Sequence, residues 1–408
     1  MIKKASILAL VFFLSLIILS PSLAQAGGGL RVLDSSVEAE FPARLSFSLS
    51  AESDVSITDI RLHYAVDRQR FAQVSGEVYI EFVPAATVEA RWTWDMRKTG
   101  GLPPGSSVEY WWTVKDANDN RVETAPVQVQ FDDKRYSWHS LTEGKVTVYW
   151  YEGEQSFAEE LMSATQQALA RLAEDTGASL KKPVKIYIYA NTQDLQGAMI
   201  FPHEWTGGVN FFEYSIIAIG IAPHELEWGK GAIAHELTHQ VTYQVTTNPY
   251  NVLPRWLNEG LSMYAEGPLE PFLEAYLSLA INENSLISVR SLSSPFSAYG
   301  EEAYLSYAQS YSLVEFLISN YEQGKMLGLL TTFSEGSSYD GALEKVYGFD
   351  MDGLDTLWRD YVSQQYQKVG VKTTVVSPAL VGRLPKPVTE LILDLRLATQ
   401  SWAWRWSW

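Results

Sequence analysis

The chain has 408 residues, with 48 acidic side chains against 31 basic ones and a net charge of -17. That balance argues against nucleic acid as a partner, and a hydrophobic fraction of 46% with 13% aromatics excludes a disordered or fibrous chain. Cysteine is absent, so disulfides are excluded and stability must come from core burial.

Met1-Ile2-Lys3-Lys4 precedes an apolar run from Ala5 to Leu19, and Ala24-Gln25-Ala26 follows. A basic start, a short apolar core and an A-x-A site predict a secretory signal peptide over 1–26, cleaved near Ala26, and hence an exported, extracellular or cell-surface protein. The remainder, about 380 residues, predicts two or three domains.

Residues 30–133 read as an all-β domain. Alternating segments recur at 43–49, 60–66, 88–94, 108–114 and 127–131, and Gly/Pro and Asn/Asp clusters separate them. This pattern predicts a β-sandwich of fibronectin-III or immunoglobulin type. Nothing in it carries catalytic chemistry, and His63 on a strand reads as structural. Asp132-Asp133-Lys134-Arg135 marks the expected boundary.

A second domain is predicted over 140–367. A strand at 146–151 leads to a helix over 155–175, with Phe157, Leu161, Ala164, Ala168 and Leu172 on one face and Gly177 at its end. A strand at 184–189, a short helix at 193–199, a loop at 201–210 and a strand at 215–221 follow.

Next comes His235-Glu236-Leu237-Thr238-His239. On a helix, residues i and i+4 share a face, so both imidazoles can point at one ion. Glu236 lies about 100° round from His235. That places it beside a metal, in reach of its water, and outside the ligand set. A catalytic zinc takes three protein ligands and keeps one position open, so two histidines are one short. The helix runs out at a turn cluster near Asn248-Pro249, and a second begins around Pro254. A short loop between two helices can bring Glu259 to the histidine pair as the third ligand. His203 and His224 are spare histidines, read as structural or rim residues.

The motif His235–His239 followed by Asn258-Glu259-Gly260-Leu261-Ser262 resembles the gluzincin zinc metallopeptidases, and in particular the bacterial peptidase MA-like domains with W-L-x-E-G-L-A/S-x-Y. The resemblance covers about 145–367. It implies an α+β zincin-like fold with a mainly helical C-terminal half, a Zn²⁺ cofactor and a protein or peptide substrate. The ligand set is then His235, His239 and Glu259, with Glu236 activating a zinc-bound water as general base. It also implies that the strand before the active helix forms the upper rim of the cleft, here 207–221, where an extended substrate pairs by β-augmentation. Some gluzincins place an Asp four residues after the glutamate ligand; Met263 stands there, and Glu266 is the candidate to orient a zinc histidine. The acidic pattern of the M1 aminopeptidases is missing, which favours an endopeptidase.

Downstream, helices are predicted over 269–281, 302–321, 326–332, 339–347 and 353–367, with a Ser/Asn-rich loop at 282–297 as a cleft wall or lid. Tyr304, Tyr307 and Tyr311 form a stripe that reads either as core or, for Tyr307, as an oxyanion donor by the same resemblance. Residues 368–408 form a tail of unknown role. Trp402, Trp404, Trp406 and Trp408 alternate there, fitting cell-surface or membrane-interface association, although the segment is too short and charged to span. A second functional reading stays open: a cell-surface binding or adhesion protein with a non-catalytic zincin-like domain.

Overall fold

The computed structural model describes residues 29–68, 74–202, 207–297 and 300–369. The predicted signal peptide, His203 and the Trp-rich tail lie outside the described residues.

The N-terminal part is built from β1 (Arg31–Glu40), β2 (Arg44–Val66), β3 (Ser75–Tyr79), β4 (Ala85–Asp95), β5 (Ser106–Asp116), β6 (Arg121–Glu123) and β7 (Val127–Phe131). The segments predicted at 43–49 and 60–66 are one continuous strand. The first half of β2 pairs with β1 and β4, and the second half with β3 and β5. A register shift between Glu52 and Ile57 separates the two halves. Alternation is strict along the first half of β2: Leu45, Phe47, Leu49 and Ala51 are buried and the residues between them are not, as a half-buried antiparallel strand requires. Residues from both halves share one core with Val108, Tyr110, Trp112 and Phe131.

The second sheet has β8 (His139–Glu143), β9 (Val146–Trp150), β10 (Val184–Tyr189), β11 (Gly208–Phe211) and β12 (Ile216–Gly220), in the order β11-β12-β10-β9-β8. The three inner strands are parallel and the two edge strands antiparallel. Helix α1 (Gln155–Thr176) makes the β9-to-β10 crossover and ends on Gly177 at φ 72, the left-handed cap that glycine adopts without strain. The remaining helices are α2 (Thr192–Gln196), α3 (Leu226–Thr246), α4 (Arg255–Glu266), α5 (Pro271–Asn282), α6 (Val289–Leu292), α7 (Gly300–Asn320), α8 (Gln323–Ser334), α9 (Tyr339–Tyr347) and α10 (Met351–Val369). The β-rich start and mainly helical second half thus follow the expected order. No helix among the described residues is long and apolar enough to cross a membrane.

Helix α3 is buried on nearly all sides, the mark of a central helix. One core joins it to β9, β10, β12, α1, α4 and α7, with Trp256 and Trp358 fully buried. Gly260 lets α4 cross α7 closely: a Cβ there would strike the Ser310 carbonyl and come within 2.7 Å of Val314 Cγ2. The 282–297 segment, expected as a loop forming a cleft wall or lid, is not loop throughout. It contains α6, whose Val289 and Leu292 are buried and anchor it in the core. Burial of these apolar side chains, invisible against a Ser-rich background, is what fixes it.

The junction between the two parts combines polar and apolar contacts. Asp133, with a fully buried side chain, receives Arg135 Nη2 at 2.6 Å and Tyr189 Oη at 2.9 Å. Lys185 Nζ donates to Gly105 O at 2.8 Å, and Ile200 and Tyr214 pack against the N-terminal core.

Candidate metal centre

Helix α3 carries His235, Glu236 and His239, and α4 carries Glu259. All four are buried. The structure therefore brings together the four residues singled out from the motif, across two helices that pack side by side.

The two Nε2 atoms of His235 and His239 face each other at 3.1 Å. Glu259 Oε2 lies 3.6 Å from the first and 3.5 Å from the second. These three atoms form a nearly regular triangle. A tetrahedral ion with ligands at about 2.0–2.2 Å sets its donor atoms roughly 3.3–3.5 Å apart. Among the described residues, this is the group of His and acidic side chains whose donor atoms converge on one point.

Each imidazole has its other nitrogen engaged. His235 Nδ1 meets Glu266 Oε1 at 2.6 Å, and His239 Nδ1 meets Ser262 Oγ at 3.0 Å. When Nδ1 carries the proton, both Nε2 lone pairs point into the triangle, the tautomer a metal-binding histidine needs. Glu259 Oε2 is buried and accepts no hydrogen bond. A buried carboxylate oxygen aimed between two ring nitrogens is costly unless a cation sits there. The donor set thus fits a divalent ion such as zinc.

The electrostatics agree. Burial favours the neutral form of Glu259, yet Arg255, His239 and His235 hold its carboxyl well below the usual range. Burial opposes charge on His235, but Glu259 and Glu266 outweigh it and raise its pKa to about 10. The pocket is therefore organised for positive charge.

Glu236 stands outside the triangle. Its backbone carbonyl accepts from Asn210 Nδ2 at 2.7 Å, and the same amide lies 3.5 Å from its Oε2. Asn210 sits on β11, the edge strand, so the turn of α3 that carries Glu236 is tied to the edge of the sheet. Gln240 adds a second tie to that edge, through Phe212 O at 3.2 Å.

Tyr307 is fully buried in α7, edge-on to Phe296 at 5.1 Å. It interacts electrostatically with the Arg255 guanidinium. Tyr304 and Tyr311 are buried with it, which supports the core reading of the stripe. His224 is exposed at the start of the α3 segment and His63 stacks on Trp111; neither joins the centre.

Sequence reasoning passed over Asn210, Arg255 and Ser262. Arg255 had a legible signal, an i,i+4 charge pair with Glu259. Asn210 had none, because its contact with Glu236 depends on the fold.

Residues 164–364 match the family model described as the Peptidase MA superfamily. This match lies in the second half of the chain and supports a peptidase-like domain there. No curated protein matches the chain. Among solved structures, Legionella pneumophila aminopeptidase A in complex with aspartic acid is similar at 9% identity, over 81% of this chain and 48% of that one, with a TM-score of 0.35. Wild-type OgpA from Akkermansia muciniphila is similar at 13% identity, over 28% of this chain and 31% of that one, with a TM-score of 0.19. This chain therefore spans under half the length of either protein.

Proposed function

We propose that the protein is a zinc-dependent peptidase, exported by its N-terminal signal peptide and acting on protein or peptide substrates as an endopeptidase. The observation that carries this reading is the triangle of His235 Nε2, His239 Nε2 and the unpartnered Glu259 Oε2, with Glu236 beside it and outside it. Zinc held by these three residues would supply Lewis acidity to the scissile carbonyl and to water.

The chain's own residues do the rest. Glu236 is placed to take a proton from the attacking water and to hand it to the leaving amine. Asn210 fixes the turn of α3 that carries Glu236. Glu266 and Ser262 hold the two imidazoles in the tautomer that presents Nε2. β11, at the edge of its sheet, offers an extended substrate a strand to pair with. Tyr307 acts through Arg255 in this reading, and donation to the developing oxyanion would require it to give up that interaction. The N-terminal unit is proposed to be a two-layered sandwich wrapped around the single core that β2 threads.

Metal analysis of the purified mature chain, with hydrolysis of a mixed peptide library before and after chelation, tests the proposal. One equivalent of zinc and chelator-sensitive cleavage are expected. A metal-free protein, or cleavage indifferent to chelator, would overturn it.

A further inference from the structure

We propose that Arg255 is a positioning residue that commits Glu259 to one-oxygen ligation, leaving the remaining side of the centre open for water and substrate. The inference rests on the metal-centre reading above. Its starting point is the division of labour within one carboxylate. Glu259 Oε1 lies 3.0 Å from Arg255 Nε, while Oε2 lies 3.5 and 3.6 Å from the two imidazole nitrogens. Each oxygen has its own cationic neighbour, or the place for one.

Arg255 cannot easily drift from this position. It opens α4, one helical turn before Glu259, so the pairing is built into the helix. Its side chain is 11% exposed. The guanidinium carbon lies 5.7 Å from the Phe296 ring centroid, a cation–π arrangement. Phe296 is held in turn by Tyr307, edge-on at 5.1 Å, and Tyr307 interacts electrostatically with the same guanidinium. Three groups therefore surround one planar, permanently charged fork.

The consequence follows from zinc's lack of geometric preference. Nothing in a d¹⁰ ion prevents a free carboxylate from chelating through both oxygens, which would add a donor beside the water, raise the coordination number to five and crowd the side that substrate needs. Here chelation would pull Oε1 off a buried guanidinium and leave that charge uncompensated, a costly state. Arg255 makes the one-oxygen mode the stable one. It also balances the carboxylate's charge, so the three ligands and Arg255 together present the ion with two neutral imidazoles and a neutralised pair.

The full chain loaded with Co²⁺ alone provides the test, because visible absorption of cobalt is strong in four-coordinate sites and weak at higher coordination. Wild-type protein is expected to bind one equivalent with intense bands. Arg255→Met is expected to retain one equivalent with bands severalfold weaker, and Arg255→Lys to recover part of the intensity by restoring charge. Unchanged intensity in cobalt-loaded Arg255→Met overturns the inference, and so does loss of cobalt from a variant that is folded by circular dichroism. Should Arg255→Met not fold, Arg255→Gln carries the same expectation with a polar side chain in place of the apolar one. If wild-type protein takes up no cobalt, the metal-centre reading itself fails, an outcome separate from either result in the variants.

Discussion

Replacing Gly260 by alanine tests whether the close crossing of α4 on α7 sets the centre. An alanine in a free helix interior would be stabilising by about 0.8–1 kcal/mol relative to glycine. Here the new Cβ would strike the Ser310 carbonyl oxygen, lie 2.8 Å from the Ser310 carbonyl carbon and 2.7 Å from Val314 Cγ2. The first two partners are backbone and cannot rotate away. The helices must part by more than about half an ångström, and overpacking of this kind costs about 1–3 kcal/mol. Because the clash is with backbone, the upper part of that range applies, and the net effect is a loss of about 2 kcal/mol. For a unit of this size that is a fall in Tm of roughly 4–8 °C. Glu259 is the neighbouring residue, so its carboxylate moves relative to the two imidazoles and metal affinity falls with stability. Gly231→Ala serves as the contrast: its Cβ would have only Glu266 Oε2 nearby, at 3.8 Å, and the helix-propensity gain should show. Thermal unfolding of the metal-free protein, with zinc affinity from competition against a chromophoric chelator, measures both effects. Equal Tm and equal affinity in Gly260→Ala and wild type would refute the reasoning.

Further outcomes follow from the same contacts. Glu266→Gln removes the carboxylate from His235 Nδ1 and should weaken zinc binding by about 10–100-fold, read by the same competition; unchanged affinity would remove Glu266 from the centre. Asp133→Ala unpairs Arg135 and Tyr189 at the junction of the two parts. Since Arg135 is 33% exposed, the penalty should be at the lower end for a broken buried pair, about 2–3 kcal/mol, with zinc affinity preserved. Urea unfolding would show this, and a loss of zinc affinity without loss of stability would contradict it.

The centre was legible because its logic is local. His235, Glu236 and His239 sit on one helix, and their spacing alone sets which two side chains can converge and which stands beside them. Glu259 required only the inference that two helices joined by a short loop pack together. Glu266 could be chosen because it lies nearly on the same helical face as Glu259. The tie between Asn210 and Glu236 was not legible, since β11 reaches α3 only after the five-stranded sheet has formed. The continuity of β2 was hidden for a related reason. Glu52 to Ile57 break the alternation locally, and a register shift bridges what reads as a gap between two strands. The 282–297 segment misled because its composition is loop-like, while two buried aliphatic side chains decide its place. Helical spacing reads Tyr307 as part of a core stripe, and its role as oxyanion donor came only from the family resemblance; its interaction with Arg255 depends on the fold and had no signal in the sequence.

The most direct test of the central claim is Glu236→Gln, which keeps the size of the side chain and removes the base. Zinc content and peptide hydrolysis should be measured on the same preparation, beside wild type. The account predicts one equivalent of zinc in both proteins and a loss of hydrolysis by about 10²-fold or more in the variant, the scale of general-base catalysis. Zinc retained with hydrolysis undiminished would contradict it, because the proton would then be handled by a group other than Glu236.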